Sequence, residues 1–127
     1  MLTRVLNRLL RRRKPDWRRD GEATLFNYAL HLAQEWGPYW LQPIQDRLGR
    51  AFPEFSDDEL DRLNNLAQDA MKYGYNLAYE LTEASGGEDV QREWRSQYSA
   101  KFPWVDKKNL ATLYSTGRHY AWKNGAR

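Results

Sequence analysis

The chain has no cysteine. That removes disulfides, thiolate metal sites and a thiol nucleophile together, and nothing points to an oxidising compartment. It also lacks any run approaching the roughly 20 apolar residues that a membrane-spanning helix needs. Near the start, the apolar pairs Val5-Leu6 and Leu9-Leu10 are separated by Asn7 and Arg8, so there is no secretory h-region. No acidic residue precedes Asp16, which is half of a mitochondrial transit pattern, but the serines that would complete it are missing. The expectation is a cytoplasmic protein.

Catalytic and cofactor motifs are missing as well. Gly86-Gly87-Glu88 has neither the downstream Gly-Lys-Ser/Thr nor the preceding strand of a phosphate loop. There is no Gly-x-Ser-x-Gly elbow, and Ser115 four residues before His119 does not make a triad. The acidic run from Glu54 to Asp61 lacks calcium-loop spacing and the turn glycine. His31 and His119 are the only histidines. His31 has Glu35 four residues on, on the same helix face, but a metal site usually needs three or four protein ligands and no second His/carboxylate pair stands at helix spacing. His31, within Tyr28-Ala29-Leu30-His31-Leu32-Ala33, reads as a buried or half-buried structural residue that can still titrate. No metal or cofactor is expected, and nothing positive argues for an enzyme.

What the chain does have is helical periodicity, aromatic bulk and segregated charge. Its 127 residues suit one domain with a core of its own. Leu2, Val5, Leu6, Leu9 and Leu10 form one apolar stripe, predicting an amphipathic helix over 2–13 with arginines on its other faces. Pro15 to Gly21 reads as a charged linker, so 1–21 is taken as a basic arm and 22–127 as a single helical domain. Within the domain, a helix from Glu22 to about Trp36 stops at Gly37-Pro38. A second is opened by Pro43 and closed by Pro53. Ser56-Asp57-Asp58-Glu59 is a capping box that starts a helix running to Ala84. Ser85-Gly86-Gly87 ends it. Helices over 89–101 and 107–123 follow, the last capped by Asp106 and closed by Gly125. No segment alternates as a strand does, so the fold class is all-α, a small bundle of about five helices plus the arm.

Two stretches echo each other at a spacing of 50 residues. Phe52-Pro53 matches Phe102-Pro103, the caps Ser56 and Asp106 align, and Leu60 and Leu63 align with Leu110 and Leu113. Further on, Gly74 to Tyr79 resembles Gly117 to Trp122 at a spacing of 43. The difference of seven residues, almost two helical turns, keeps the same face inward. These signals raise the expectation of two pseudo-repeated αα-hairpins whose long helices cross near Gly74 and Gly117.

Residues 1–21 carry a net charge of +6, residues 22–90 carry −9 and residues 91–127 carry +6. Aromatics at helix ends and on helical periodicity (Trp36, Tyr39, Trp40, Trp94, Tyr98, Trp104, Tyr114, Tyr120, Trp122) read as core and corner packing first, and as a partner groove second. The leading functional expectation is a non-enzymatic helical interaction or regulatory protein, with a protein partner or a second copy as its ligand. Leu2, Leu6 and Leu9 would dock the arm. The alternative is a nucleic-acid-binding protein, with Arg11, Arg12, Arg13, Arg18 and Arg19 and the C-terminal set Lys107, Lys108 and Arg118 on phosphates. A further alternative is attachment of the N-terminal helix to an anionic membrane surface.

Overall fold

The computed structural model describes residues 12–35 and 41–125. Among these the chain is all-helical: α1 (Trp17–Asp20), α2 (Glu22–Ala33), α3 (Gln45–Ala51), α4 (Asp57–Ala84), α5 (Gln91–Lys101) and α6 (Lys107–Lys123). None of the described residues lies in a strand, and no helix among them is long and apolar enough to cross a membrane.

The two long helices begin and end where their caps predict. Ser56 Oγ accepts the Glu59 N–H at 3.2 Å, and Asp106 Oδ1 accepts the Asn109 N–H at 3.0 Å. Each bond satisfies one of the orphan donors of a helix N-terminus. Elsewhere the boundaries differ from expectation. Residues 12–16 are not helical, so the helix predicted over 2–13 does not extend through Arg12 and Arg13. Pro15 disfavours helical geometry in the residue before it, and Arg12 reaches instead for the far corner of the bundle. The rest of that predicted helix lies outside the described residues. The segment read as a linker contains a helical turn, α1, closed by the Gly21 N–H on the Trp17 carbonyl at 2.7 Å. The helix α2 stops at Ala33, with Gln34 as its C-cap. Pro43 sits ahead of α3 rather than in its first turn, because the Ile44 N–H is taken by Asn64 Oδ1 at 3.0 Å and Ile44 becomes the cap. Likewise α5 starts at Gln91, since the Val90 N–H is held by the Tyr114 hydroxyl at 3.1 Å.

Helix α3 folds back antiparallel on α4: Ile44 meets Asn64, Gln45 meets Asp61 and Gly49 meets Leu60. Helix α5 does the same further along α4. The Trp94 indole N–H donates to the Gly74 carbonyl at 2.9 Å, and the Tyr98 hydroxyl donates to the Ala70 carbonyl at 2.9 Å. The two rings stack at 4.8 Å and 7° from parallel, and both are fully buried. Burial pushes the Tyr98 phenol well above its ordinary pKa, so it stays a donor. Helices α4 and α6 cross as expected at the two glycines. A Cβ on Gly117 would stand 2.8 Å from that of Ala78, and one on Gly74 would stand 3.4 Å from Leu113.

The two Phe-Pro corners share one backbone geometry. Phe52 and Phe102 have φ, ψ of −130°, 75° and −125°, 70°. Each N–H returns to the carbonyl four residues back, Leu48 and Tyr98, at 2.9 Å, and each carbonyl accepts the N–H three residues on, from Phe55 and Val105. What differs is how α2 clamps them. At the first corner the clamp is aromatic: Tyr28 stands edge-on to Phe52 at 5.8 Å, and Trp17 of α1 packs on Phe55 at 5.8 Å. At the second it is polar. Asn27 donates to the Trp104 carbonyl at 2.8 Å and accepts the Asp106 N–H at 2.9 Å. Asn109 donates back to Asn27 and accepts from Gln34. Neighbouring residues of α2 thus grip both corners at one end of the bundle.

Candidate anion-binding cleft

The segment ahead of α1 joins these corners. Arg12 forms a two-pronged ion pair with Asp106, at 2.6 and 3.2 Å. A few residues on, the Lys14 ammonium lies 4.8 Å over the Phe52 ring. Residues 12–20 therefore run as a strap across the first turns of the fold, against the body rather than away from it. Asp106 has three duties at once: helix cap, strap anchor, and backbone donor to Asn27. Burial pushes its carboxyl up. The Arg12 and Asn109 hydrogen bonds and the Arg12 and Lys108 charges outweigh that and hold it below the ordinary range.

Where the strap passes α2 and α3 it closes one side of a cleft of about 340 Å³ lined by Arg12, Tyr28, His31, Glu35, Arg47 and Arg50 with apolar Leu32 and Ala51. Arg47 is almost wholly buried and used internally. It binds Glu35 at 3.1 Å, the α2 carbonyl of Leu32 at 2.8 Å and the carbonyls of Gln42 and Pro43. It stitches α3 to the end of α2 and thereby fixes the cleft's width. Arg50, one turn on, is exposed. Among the described residues neither Arg50 nor the His31 imidazole has a hydrogen-bond or ion-pair partner.

His31 is half-buried, as the sequence suggested, and it is shifted. Burial first, then the Arg12 and Lys108 charges, lower its pKa from 6.5 to about 4, with Asp106 opposing. The imidazole is therefore neutral at pH 7, offering one donor and one acceptor. The groups facing it are Arg12 on the strap, Glu35 on its own side of the cleft, Arg47 and Arg50 on α3, and Lys108 and Asp106 on α6. Between about pH 4 and 6.5 the unfolded chain holds a proton there that the folded chain refuses, so stability falls as pH drops through that window. Urea denaturation at several pH values should show this slope in the wild type and a shallower one in His31→Gln. Equal slopes would place the titration elsewhere.

The other residues expected at a binding surface are dispersed. Leu2, Leu6, Leu9 and Arg11 lie outside the described residues. Arg13, Lys107 and Lys108 are exposed, the two lysines on the first turn of α6. Arg18 lies 4.8 Å over the Trp17 ring, beside a second cleft that Lys14 shares with Asp16 and Glu54. Arg19 is occupied by Asp20 at 3.0 Å and Asp16 at 3.8 Å. Arg118 is a structural clip. It binds the Glu88 and Gly87 carbonyls and, at 3.2 Å, Thr82 Oγ1, tying the loop after α4 to α6. Among the described residues of the expected set, only Arg12 and Lys108 bear on His31. Glu35 lies beside His31 as its spacing implied, whereas Arg47, Arg50 and Tyr28 were not expected there. The signal available for the first two was their spacing, since Arg47 and Arg50 three apart share a helix face beside the buried Leu48.

Of the aromatics, Trp94 and Tyr98 are core, Trp104, Tyr114 and Tyr120 are half-buried, and Trp122 is exposed. Trp36, Tyr39 and Trp40 lie outside the described residues. No three histidine or acidic side chains among the described residues gather as a metal set. Comparison of the chain with protein-family models, curated proteins and solved structures gives no match.

Proposed function

We propose that this chain is a non-enzymatic helical interaction protein whose cleft between α2 and α3 receives a short anionic segment of a protein partner. The observation that carries the reading is the cleft's unspent charge. Arg12 is paired with Asp106 and Arg47 with Glu35, which leaves the Arg50 guanidinium open on the cleft's wall, between two helices, α2 and α3, that the Arg47 stitch holds together. A site with donors on a fixed scaffold loses little freedom on binding. Among the described residues the positive surface is not continuous beyond the cleft. Asp16, Asp20 and Glu54 interrupt the basic run of Lys14, Arg18 and Arg19, so a long polyanion would lie across carboxylates while a short segment would not. The absence of cysteine suits the reducing cytoplasm, where we place this activity.

Nucleic-acid binding through Arg13, Lys107 and Lys108 is the competing reading, and one titration separates the two. A fluorescent Asp/Glu-rich peptide and mixed-sequence DNA and RNA would be titrated with the full chain at low and physiological salt. The peptide should bind at both, with affinity reduced tenfold or more in the Arg50→Glu, Lys108→Glu double variant. Oligonucleotides that bind more tightly than the peptide, with steep salt dependence, would overturn the protein reading in favour of nucleic acid. Sedimentation of the free chain identifies a second copy as the partner if it dimerises, the acidic first turn of α4 then supplying the anionic segment.

A further inference from the structure

We infer that the cleft is a receptor for one phosphomonoester group carried on a side chain of the protein partner, with Arg50 and the His31 imidazole as its donors. The inference rests on the interaction-protein reading and names what that partner presents. Its first support is charge. Around the cleft stand Arg12, Arg47, Arg50 and Lys108, and the carboxylates that answer them are Glu35 and Asp106. Among the described residues two positive charges are left over, on Arg50 and Lys108. A phosphomonoester carries about −1.5 to −2 at pH 7, whereas a carboxylate or a nucleic-acid diester carries one.

The second support is the distribution of work among the cations. The Arg12 fork is held by Asp106 and the Arg47 fork by Glu35 and three carbonyls. They set geometry and field. Arg50 is the guanidinium left to make the paired N–H to oxygen bonds that suit phosphate. The third is His31. Desolvation and two flanking cations keep the ring neutral, which disfavours a proton while the cleft is empty. A dianion reverses the sign of that field. The ring then gains a proton and a charged hydrogen bond, so binding should strengthen as pH falls below neutrality, until the phosphate itself protonates near its second pKa of about 6. Tyr28, Leu32 and Ala51 give the cleft an apolar wall for the chain that carries the group.

The test uses the full chain and follows the two histidine rings by NMR. His119, exposed on α6, is the internal reference. N-acetyl-phosphoserine methylamide should shift the His31 signals and raise that ring's pKa while leaving His119 in place. Inorganic phosphate should do so more weakly, and the serine form and acetate should not. Arg50→Gln should weaken the response tenfold or more. Arg62→Gln, exposed on α4, should not change it. Inorganic phosphate equal to or tighter than phosphoserine would replace the side-chain source with free phosphate. Acetate as effective as phosphoserine would overturn the phosphomonoester claim while leaving an acidic-peptide site intact. Equal shifts at both histidines, no shift at His31, or no effect of Arg50→Gln would overturn the site itself.

Discussion

Gly117→Leu should unfold most of the domain, and Gly117→Ala should destabilise it although alanine is the better helix former. The position lies where α4 and α6 cross. A β-carbon there would meet Ala78 Cβ at 2.8 Å, the Tyr75 Cα at 3.3 Å and the Gly74 carbonyl at 3.6 Å. The first distance is shorter than real side chains tolerate, and two of the three neighbours are backbone, which cannot swing away. Relief requires the helices to part. The layer they would part contains Leu113, Ala121 and Ala78, all buried, with Gly74 and its hydrogen bond to Trp94 just behind. Alanine recovers about 1 kcal/mol of helix propensity against an overpacking penalty of about 1–3 kcal/mol, so its net loss is modest. Leucine adds three further carbons beyond a Cβ that already clashes, and its loss should exceed about 3 kcal/mol, a large share of the roughly 5–15 kcal/mol that holds a domain folded. Urea denaturation should give midpoints in the order wild type, alanine, leucine, with the slope unchanged for alanine. A midpoint that rises in Gly117→Ala would mean that the two helices do not touch here.

That crossing was legible in the sequence because it is written locally. Gly74/Ala78 and Gly117/Ala121 are matching Gly/Ala pairs one turn apart on the two helices, and the caps at Ser56 and Asp106 give both helices their phase. The bounds of α4 and α6 follow from the same signals. The strap was less legible. Four residues of α1 are too few to show periodicity, and Trp17, alone among charges, has no local reason to be half-buried. Its reason is Phe55, far along the chain. The cleft was hidden for the same cause. Arg12 reads as one more arginine in a basic run. Its ion pair with Asp106 spans 94 residues, and nothing in either neighbourhood announces the other. Composition therefore suggested a diffuse basic surface, whereas the fold ties Arg12, Arg47 and Arg118 into contacts between its elements, holds Arg19 in an exposed pair with Asp20, and leaves Arg50 open.

The polar clamp at the second corner was the least legible feature, and Asn27→Ala should expose how much depends on it. Asn27 falls within an apolar helix face, with Ala23 and Leu30 a turn away on either side, and the sequence gives no sign that it is buried. In the fold its amide closes two links to the corner. Nδ2 donates to the Trp104 carbonyl at 2.8 Å, and Oδ1 accepts both the Asp106 N–H at 2.9 Å and Asn109 Nδ2 at 3.0 Å. Truncation leaves a backbone donor and a backbone acceptor without partners at a nearly closed site. At about 1–3 kcal/mol for each orphaned group, the expected loss is about 3–4 kcal/mol. Asn109→Ala should cost less, because Asn27 keeps its bonds to Trp104 and Asp106. The double variant should cost less than the two singles together, since both remove the same mutual bond. The loss should also be felt at the cleft. Asp106 freed from Asn27 is a looser anchor for Arg12, so the His31 ring should become more exposed and its pKa should climb from about 4 toward 6.5. A loss below about 1 kcal/mol, with His31 unmoved, would mean that water fills the space and completes the same bonds. The corner would then stand on Phe102 and Trp104 alone.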